Sequence, residues 1–251
     1  QRIGREVPVA NERLLELAAA AGQLGVEGNQ NIARFAETLG QLETATNIAG
    51  EEGARSLARL LEVTTDATSD VDRLGAALTG LGNNFAATEQ EITRFSQFLG
   101  AATSQFELSS AEVTGLSAAL AALGQRAESS GSAVGAALNE INTAIANSGD
   151  RLQTLSELTG DTTEQLRQQF EDDAVGALLN FSDALSALPT AEQTRILDEF
   201  NLAGRETRRV INALSQNTDV AREALETANT EFSRNQALNL EAAKAADTFS
   251  A

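Results

Sequence analysis

Only two prolines, Pro8 and Pro189, interrupt 251 residues, and both lie outside the longest helical patterns. A proline inside a helix removes a hydrogen bond and clashes with the carbonyl one turn back, so this distribution leaves long stretches free to be helical. Apolar residues recur at helical spacing, as in Leu14, Leu17, Ala18 and Ala21, in Ile92, Phe95, Ser96 and Leu99, and in Ile141, Ile145 and Leu152. Alternation of β-branched residues is nowhere sustained. The chain is therefore expected to be all-α, a multi-helix bundle or irregular array of helical hairpins.

Helix-start signals divide the chain into segments of roughly ten to twenty residues. Asn11 precedes an Ala/Leu run that ends near Gly22 and Gly25. Thr88-Glu-Gln-Glu91, Ser109-Ser-Ala-Glu112 and Thr190-Ala-Glu-Gln193 read as capping boxes, and Asp150 and Thr218 as simple N-caps. From Thr218 to Ala251 there is neither Gly nor Pro, which predicts one long C-terminal helix. Its thin apolar stripe is Val220, Leu225, Phe232, Leu238, Ala242, Ala246 and Phe249, a pattern expected of a helix that projects or pairs with another.

An internal repeat of 42 residues aligns Val71 with Val113, Leu74 with Leu116, Leu78 with Leu120, Leu81 with Leu123 and Gly82 with Gly124. It continues through Ile92/Val134 and Leu99/Ile141, and upstream to Ile32, Ala36, Leu39 and Gly40. Each unit would be a helix, a turn begun by Gly40, Gly82 or Gly124, and a second helix. Two unrelated Ala/Leu helices ending in Gly would align similarly, so both origins stay open. The expected organisation is a helical core over residues 1–200, with a helical extension over 201–251 that ends in the long helix.

The residue inventory narrows function. There is no Cys and no His, so a disulfide framework, a thiolate nucleophile, the commonest general base and the commonest metal ligand are all missing. All the aromatics are Phe, which leaves Ala and Leu to supply most of the core. The net charge of −18 repels nucleic acid, and no apolar run approaches bilayer-spanning length. No signal peptide is visible, and a chain that starts at Gln1 and lacks Met reads as an excerpt or a processed chain.

Three clusters are candidate sites. Glu171-Asp172-Asp173 reads as a solvated helix junction and not a cation site, because no oxygen-ligand loop surrounds it. Asp66, Asp70 and Asp72 read as N-cap or first-turn residues. Arg205, Arg208 and Arg209 read as a solvated face balancing an acidic protein. A phosphate-binding Gly-rich loop is absent, and acidic pairs are too common to assign as glycosidase carboxylates. No catalytic, cofactor-binding or metal-binding residue is expected, and no cofactor.

A resemblance adds to this reading. Its residues are Leu17-Ala-Ala-Ala-Ala-Gly-Gln-Leu-Gly25, Val71-Asp-Arg-Leu-Gly75, Leu81-Gly-Asn-Asn-Phe-Ala-Ala-Thr-Glu89, the run from Leu108 to Gly124, Gly131-Ser-Ala-Val-Gly-Ala-Ala-Leu138, and Leu158-Thr-Gly160 leading to Phe170-Glu-Asp-Asp173. Taken in order from about Val7 to Phe200, these resemble the core region of phage tail tape measure proteins. Ala174 departs from the pattern, where Pro would follow the acidic residue. The resemblance implies a structural virion protein of the tail tube lumen, made in the host bacterial cytoplasm. Such a protein scaffolds tube assembly, sets tail length and leaves the tube at genome ejection. Implied partners are tail tube and tail tip proteins, tail assembly chaperones and further copies of the chain, with no stable nucleic acid binding. The alternative reading is an α-solenoid-like protein-binding module.

Overall fold

The computed structural model describes residues 11–48 and 50–249, which form fourteen α-helices and no strand. Pro8 lies outside the described residues, as do the side chains of Asn11 and Phe249. The helices are α1 (Asn11–Gln23), α2 (Asn29–Ala45), α3 (Gly50–Glu62), α4 (Val71–Asn84), α5 (Glu89–Thr103), α6 (Ser110–Ala122) and α7 (Ala127–Asn147). They continue as α8 (Asp150–Thr159), α9 (Thr163–Asp172), α10 (Ala174–Ser186), α11 (Thr190–Glu199), α12 (Arg205–Ser215), α13 (Thr218–Arg234) and α14 (Ala237–Phe249).

Local chemistry explains most boundaries. At Thr88 and Ser109 both halves of the capping box form: the hydroxyl accepts the N–H of Glu91 or Glu112, and that carboxylate accepts the cap's own N–H. Thr162 and Gln165 make another box, carried by a Thr-Thr-Glu-Gln signal that is not among the expected caps. Thr190 does not cap. It is the first helical residue of α11, behind Pro189, whose carbonyl accepts the N–H of Glu192 and Gln193. Gln193 turns instead to the Leu188 carbonyl. Asp150 and Thr218 are likewise first helical residues and not caps, following Gly149 and Asn217.

Only one of the three glycines expected at helix ends sits at one. Gly124 has φ 66°, and the Gln125 and Gly124 N–H groups bond to Leu120 and Ala121, which closes α6 as a Schellman turn. Gly40 lies inside α2 and Gly82 inside the last turn of α4, which Phe85 ends by turning extended. The aligned stretches form the helix pairs α4–α5 and α6–α7, and Val71/Val113, Leu74/Leu116, Leu78/Leu120, Ile92/Val134 and Leu99/Ile141 are all buried.

Helix α6 is buried on every side, as its nearly unbroken apolar and small composition requires. It packs on α4, α5 and α13. The core approaches crystal-like closeness through small residues. A Cβ on Gly131 of α7 would lie 2.6 Å from the Phe98 carbonyl oxygen of α5, and one on Gly135 2.7 Å from that of Ala102. Gly115 of α6 meets the α13 backbone in the same way, 2.9 Å from the Leu225 Cα. One hydrophobic cluster extends from Leu17 to Leu238. The accessible surface is 12111 Å², close to the ~10,600 Å² that a folded monomer of this mass exposes.

The C-terminal stretch is helical as expected, but it is two helices and not one. Asn235 takes φ 52°, caps α13 with its N–H on the Glu231 carbonyl, and turns the chain into α14. Asparagine is the commonest residue after glycine in this left-handed cap, so a break without Gly or Pro is physically ordinary. The buried face of α13 also differs from the expected stripe. Ala221, Ala224 and Ala228 are fully buried against α4 and α6, while Val220, Leu225 and Phe232 pack at the margin.

Candidate functional site

Four of the six acidic candidates make contacts at helix ends. Asp173 is the N-cap of α10, its Oδ1 accepting the Gly176 N–H at 2.6 Å, so the helix restarts at Ala174 without the proline. Glu171 and Asp172 are exposed. Asp66 accepts the N–H of Ser110 and so ties the loop after α3 to the start of α6. Asp70 precedes α4 and lies 3.7 Å from Arg73. Asp72, in the first turn of α4, accepts from the Asn235 amide at 2.7 Å, 163 residues away. Among the described residues no group of three or more acids converges on a point where a metal ion could sit.

Two of the three arginines are locally neutralised. Arg208 lies 3.7 Å from Asp198, Arg209 pairs with Glu206 at 3.0 Å and donates to Ser129, and Arg205 is exposed at the start of α12.

The better-built polar constellations are staples between helices. Arg13 of α1 forks onto Glu43 of α2 at 2.6 and 3.1 Å, and the same carboxylate accepts the N–H of Gly50 at the start of α3. Burial alone would raise the Glu43 carboxyl, but Arg13 and the Gly50 N–H outweigh it and hold the group below its ordinary value. Arg151 of α8 pairs with Glu140 of α7 and stacks 4.8 Å over the Phe200 ring. Asp183 of α10 accepts from Thr218 and Arg222, and these contacts prevail over burial to lower its carboxyl. None of these groups offers a free base beside a nucleophile. Their chemistry is to fix helix ends against one another.

An open cleft of about 630 Å³ lies between α3 and α5, its lining including Ile48, Gly53, Glu91, Arg94, Gln97 and Phe98. Two of its charged groups are already engaged, Glu91 in the capping box, where the Thr88 N–H lowers its carboxyl, and Arg94 with Glu128 at 2.7 Å, while Glu52 lines it as an exposed carboxylate. Of the described helices, none is long and apolar enough to cross a membrane. Sequence reasoning had no signal for the interhelical glycine contacts at Gly115, Gly131 and Gly135, because glycine in an Ala-rich helix looks the same whether or not a backbone lies across it.

Compared with known proteins, the chain matches the phage-related minor tail protein family over residues 1–201. No curated protein and no solved structure matches it.

Proposed function

The chain belongs to the phage-related minor tail protein family, and from that premise we propose that it is the folded core region of a tail tape measure protein. Members of that family are structural components of the phage tail, and hence of the virion. In the finer reading, several copies occupy the lumen of the tail tube, tube and tip proteins assemble around them with the help of assembly chaperones, and the parent chain's length sets tail length. At ejection the protein leaves ahead of the genome.

The observation that carries this reading is the strand-free, small-residue bundle. Helical hydrogen bonds are local, from residue i to i−4, so pulling the bundle open breaks side-chain packing and no long-range backbone ladder. The chain has no Cys to crosslink it. Its net charge of −18 keeps it from adhering to DNA that follows through the same channel. A solenoid module is disfavoured by the packing: each solenoid repeat contacts only its neighbours, whereas α13 lies across α4 and α6 and α14 across α2 and α4.

Protease protection on whole particles tests the lumen. The chain should resist digestion in intact tails and become cleavable once ejection is triggered. Complete digestion in intact tails would place it on the outside and overturn the reading.

A further inference from the structure

Residues 218–249 contain neither Gly nor Pro, yet their helix breaks at Asn235 and folds back on itself. The contacts trace the path. Glu231 lies beside Gly80 of α4 and Asn235 beside Asp72, so α13 runs against the direction of α4. Leu238 then sits over Gly75, and Glu241 faces Glu89 just beyond the end of α4, so α14 runs back along it. Helix α4 is held between the two arms.

The second arm is lightly held. Of the α14 side chains described, only Leu238 and Ala242 are buried, at 2% and 5% exposure, while Leu240 is 60% exposed. Its polar ties include the Gln41 amide to Asn239 at 2.8 Å and the Asn235 amide to Asp72. Against these stand the left-handed backbone at Asn235, which costs an L-residue free energy, and the like charges of Glu241 and Glu89. Lys244 answers Glu241 on the same helix at 3.1 Å. Every residue from Thr218 to Phe249 is compatible with a continuous helix, and although Asn235 tolerates the left-handed turn, nothing in the local sequence requires the break.

We propose that Asn235 is a hinge at which α14 leaves α2 and α4 and joins α13 in one continuous helix projecting from the bundle. At about 1.5 Å per residue the joined helix from Thr218 to Phe249 is roughly 48 Å long. Its release bares the surface of Thr38, Leu42 and Gly75 that Leu238 now covers. This device stands whether or not the protein is a tape measure.

The chain's lack of Cys allows two spin labels to be placed uniquely, at E223C on α13 and A243C on α14, both exposed positions. In the docked form the labelled backbones are at most about 20 Å apart, two helix-packing distances across α4. In the joined helix they are about 30 Å apart. N235A and N235G both remove the amide bond to Asp72, but glycine tolerates the left-handed turn and alanine favours the helix. The ratio of joined to docked chains should therefore be about 5–30-fold higher in N235A than in N235G. Adding A242E places a charge on the docked face and forces release. With N235A it should give a narrow distance maximum near 30 Å, and with N235G a broad distribution. A maximum near 30 Å in N235A, with or without A242E, supports the hinge. Its absence from both overturns it.

Discussion

The α5–α7 crossing gives the sharpest test of how this core is held. A Cβ at Gly131 would meet three α5 backbone atoms, the Phe98 oxygen at 2.6 Å, the Phe98 carbon at 2.7 Å and the Leu99 nitrogen at 3.1 Å. No flexible side chain can yield there, so G131A must push two helices apart until contacts reach about 3.4 Å. Two effects compete. Alanine gains up to about 1 kcal/mol over glycine in helix propensity. Forcing an extra carbon into a closed contact costs about 1–3 kcal/mol, and strain in rigid backbone sits at the upper end. The net expectation is a loss of about 1–2 kcal/mol, or a fall in melting temperature of roughly 2–8 °C for a chain of this size. Gly22 supplies the control, since it lies in α1 with ordinary φ and an added Cβ there would meet nothing within 4 Å. G22A should gain stability by up to about 1 kcal/mol. Urea unfolding followed by far-ultraviolet circular dichroism measures both. If G131A unfolds at the same or higher urea than wild type, the backbones do not touch and the close-packing account fails.

Four further outcomes follow from the same contacts. The Ser117 and Ser182 hydroxyls are fully buried with no hydrogen-bond partner, so S117A and S182A should each stabilise the bundle by on the order of 1 kcal/mol, and a loss in both would mean that the hydroxyls are satisfied. Burial, with Glu241 opposite, raises the Glu89 carboxyl, so its stabilising effect is complete below the unfolded pKa and is lost as pH rises through the folded one. E89Q should accordingly gain on wild type between about pH 4 and pH 7, and an advantage that shrinks over that range would refute the assignment. Ending the chain at residue 201 should uncover the α4 and α6 faces beneath α13 and abolish cooperative unfolding; an unchanged unfolding midpoint would count against it. Deleting all 251 residues in frame from the parent gene should block assembly or leave tail length nearly unchanged, whereas tails shorter by roughly 380 Å would show the stretch to be an extended ruler.

Helix content and several helix starts were legible because caps are local. Thr88–Glu91 and Ser109–Glu112 satisfy their own neighbours and need no tertiary partner. The break at Asn235 was not legible, because what selects it is Asp72 on another helix and the docking of Leu238. The buried face of α13 escaped the pattern for a related reason. A hydrophobicity stripe favours Leu225 and Phe232, but a helix that must approach the bare backbone of Gly115 turns its smallest side chains inward. Gln193 satisfies the pattern of a capping box, yet Pro189 shifts the helix start by one residue, and the reciprocal bonds no longer line up. At the candidate sites Asp173 accepts from the Gly176 N–H, Asp66 from the Ser110 N–H, and Arg209 pairs with Glu206.

The family match stops at residue 201, but the packing does not. Ala221, Ala224 and Ala228 lie at zero exposure against α4 and α6, and Gly115 has no side chain because the α13 backbone occupies that space. Without α13 the apolar faces of the two most buried helices of the repeat-like region would meet water, a cost that scales with area at about 25 cal/mol per Å². Helix α14 adds little to this, with two buried side chains and a hinge in front of it. The C-terminal stretch thus divides by energetics at Asn235. Its first half is a structural strut whose loss the core cannot absorb, and its second half is weakly docked, so it can detach while the bundle beneath it stays closed.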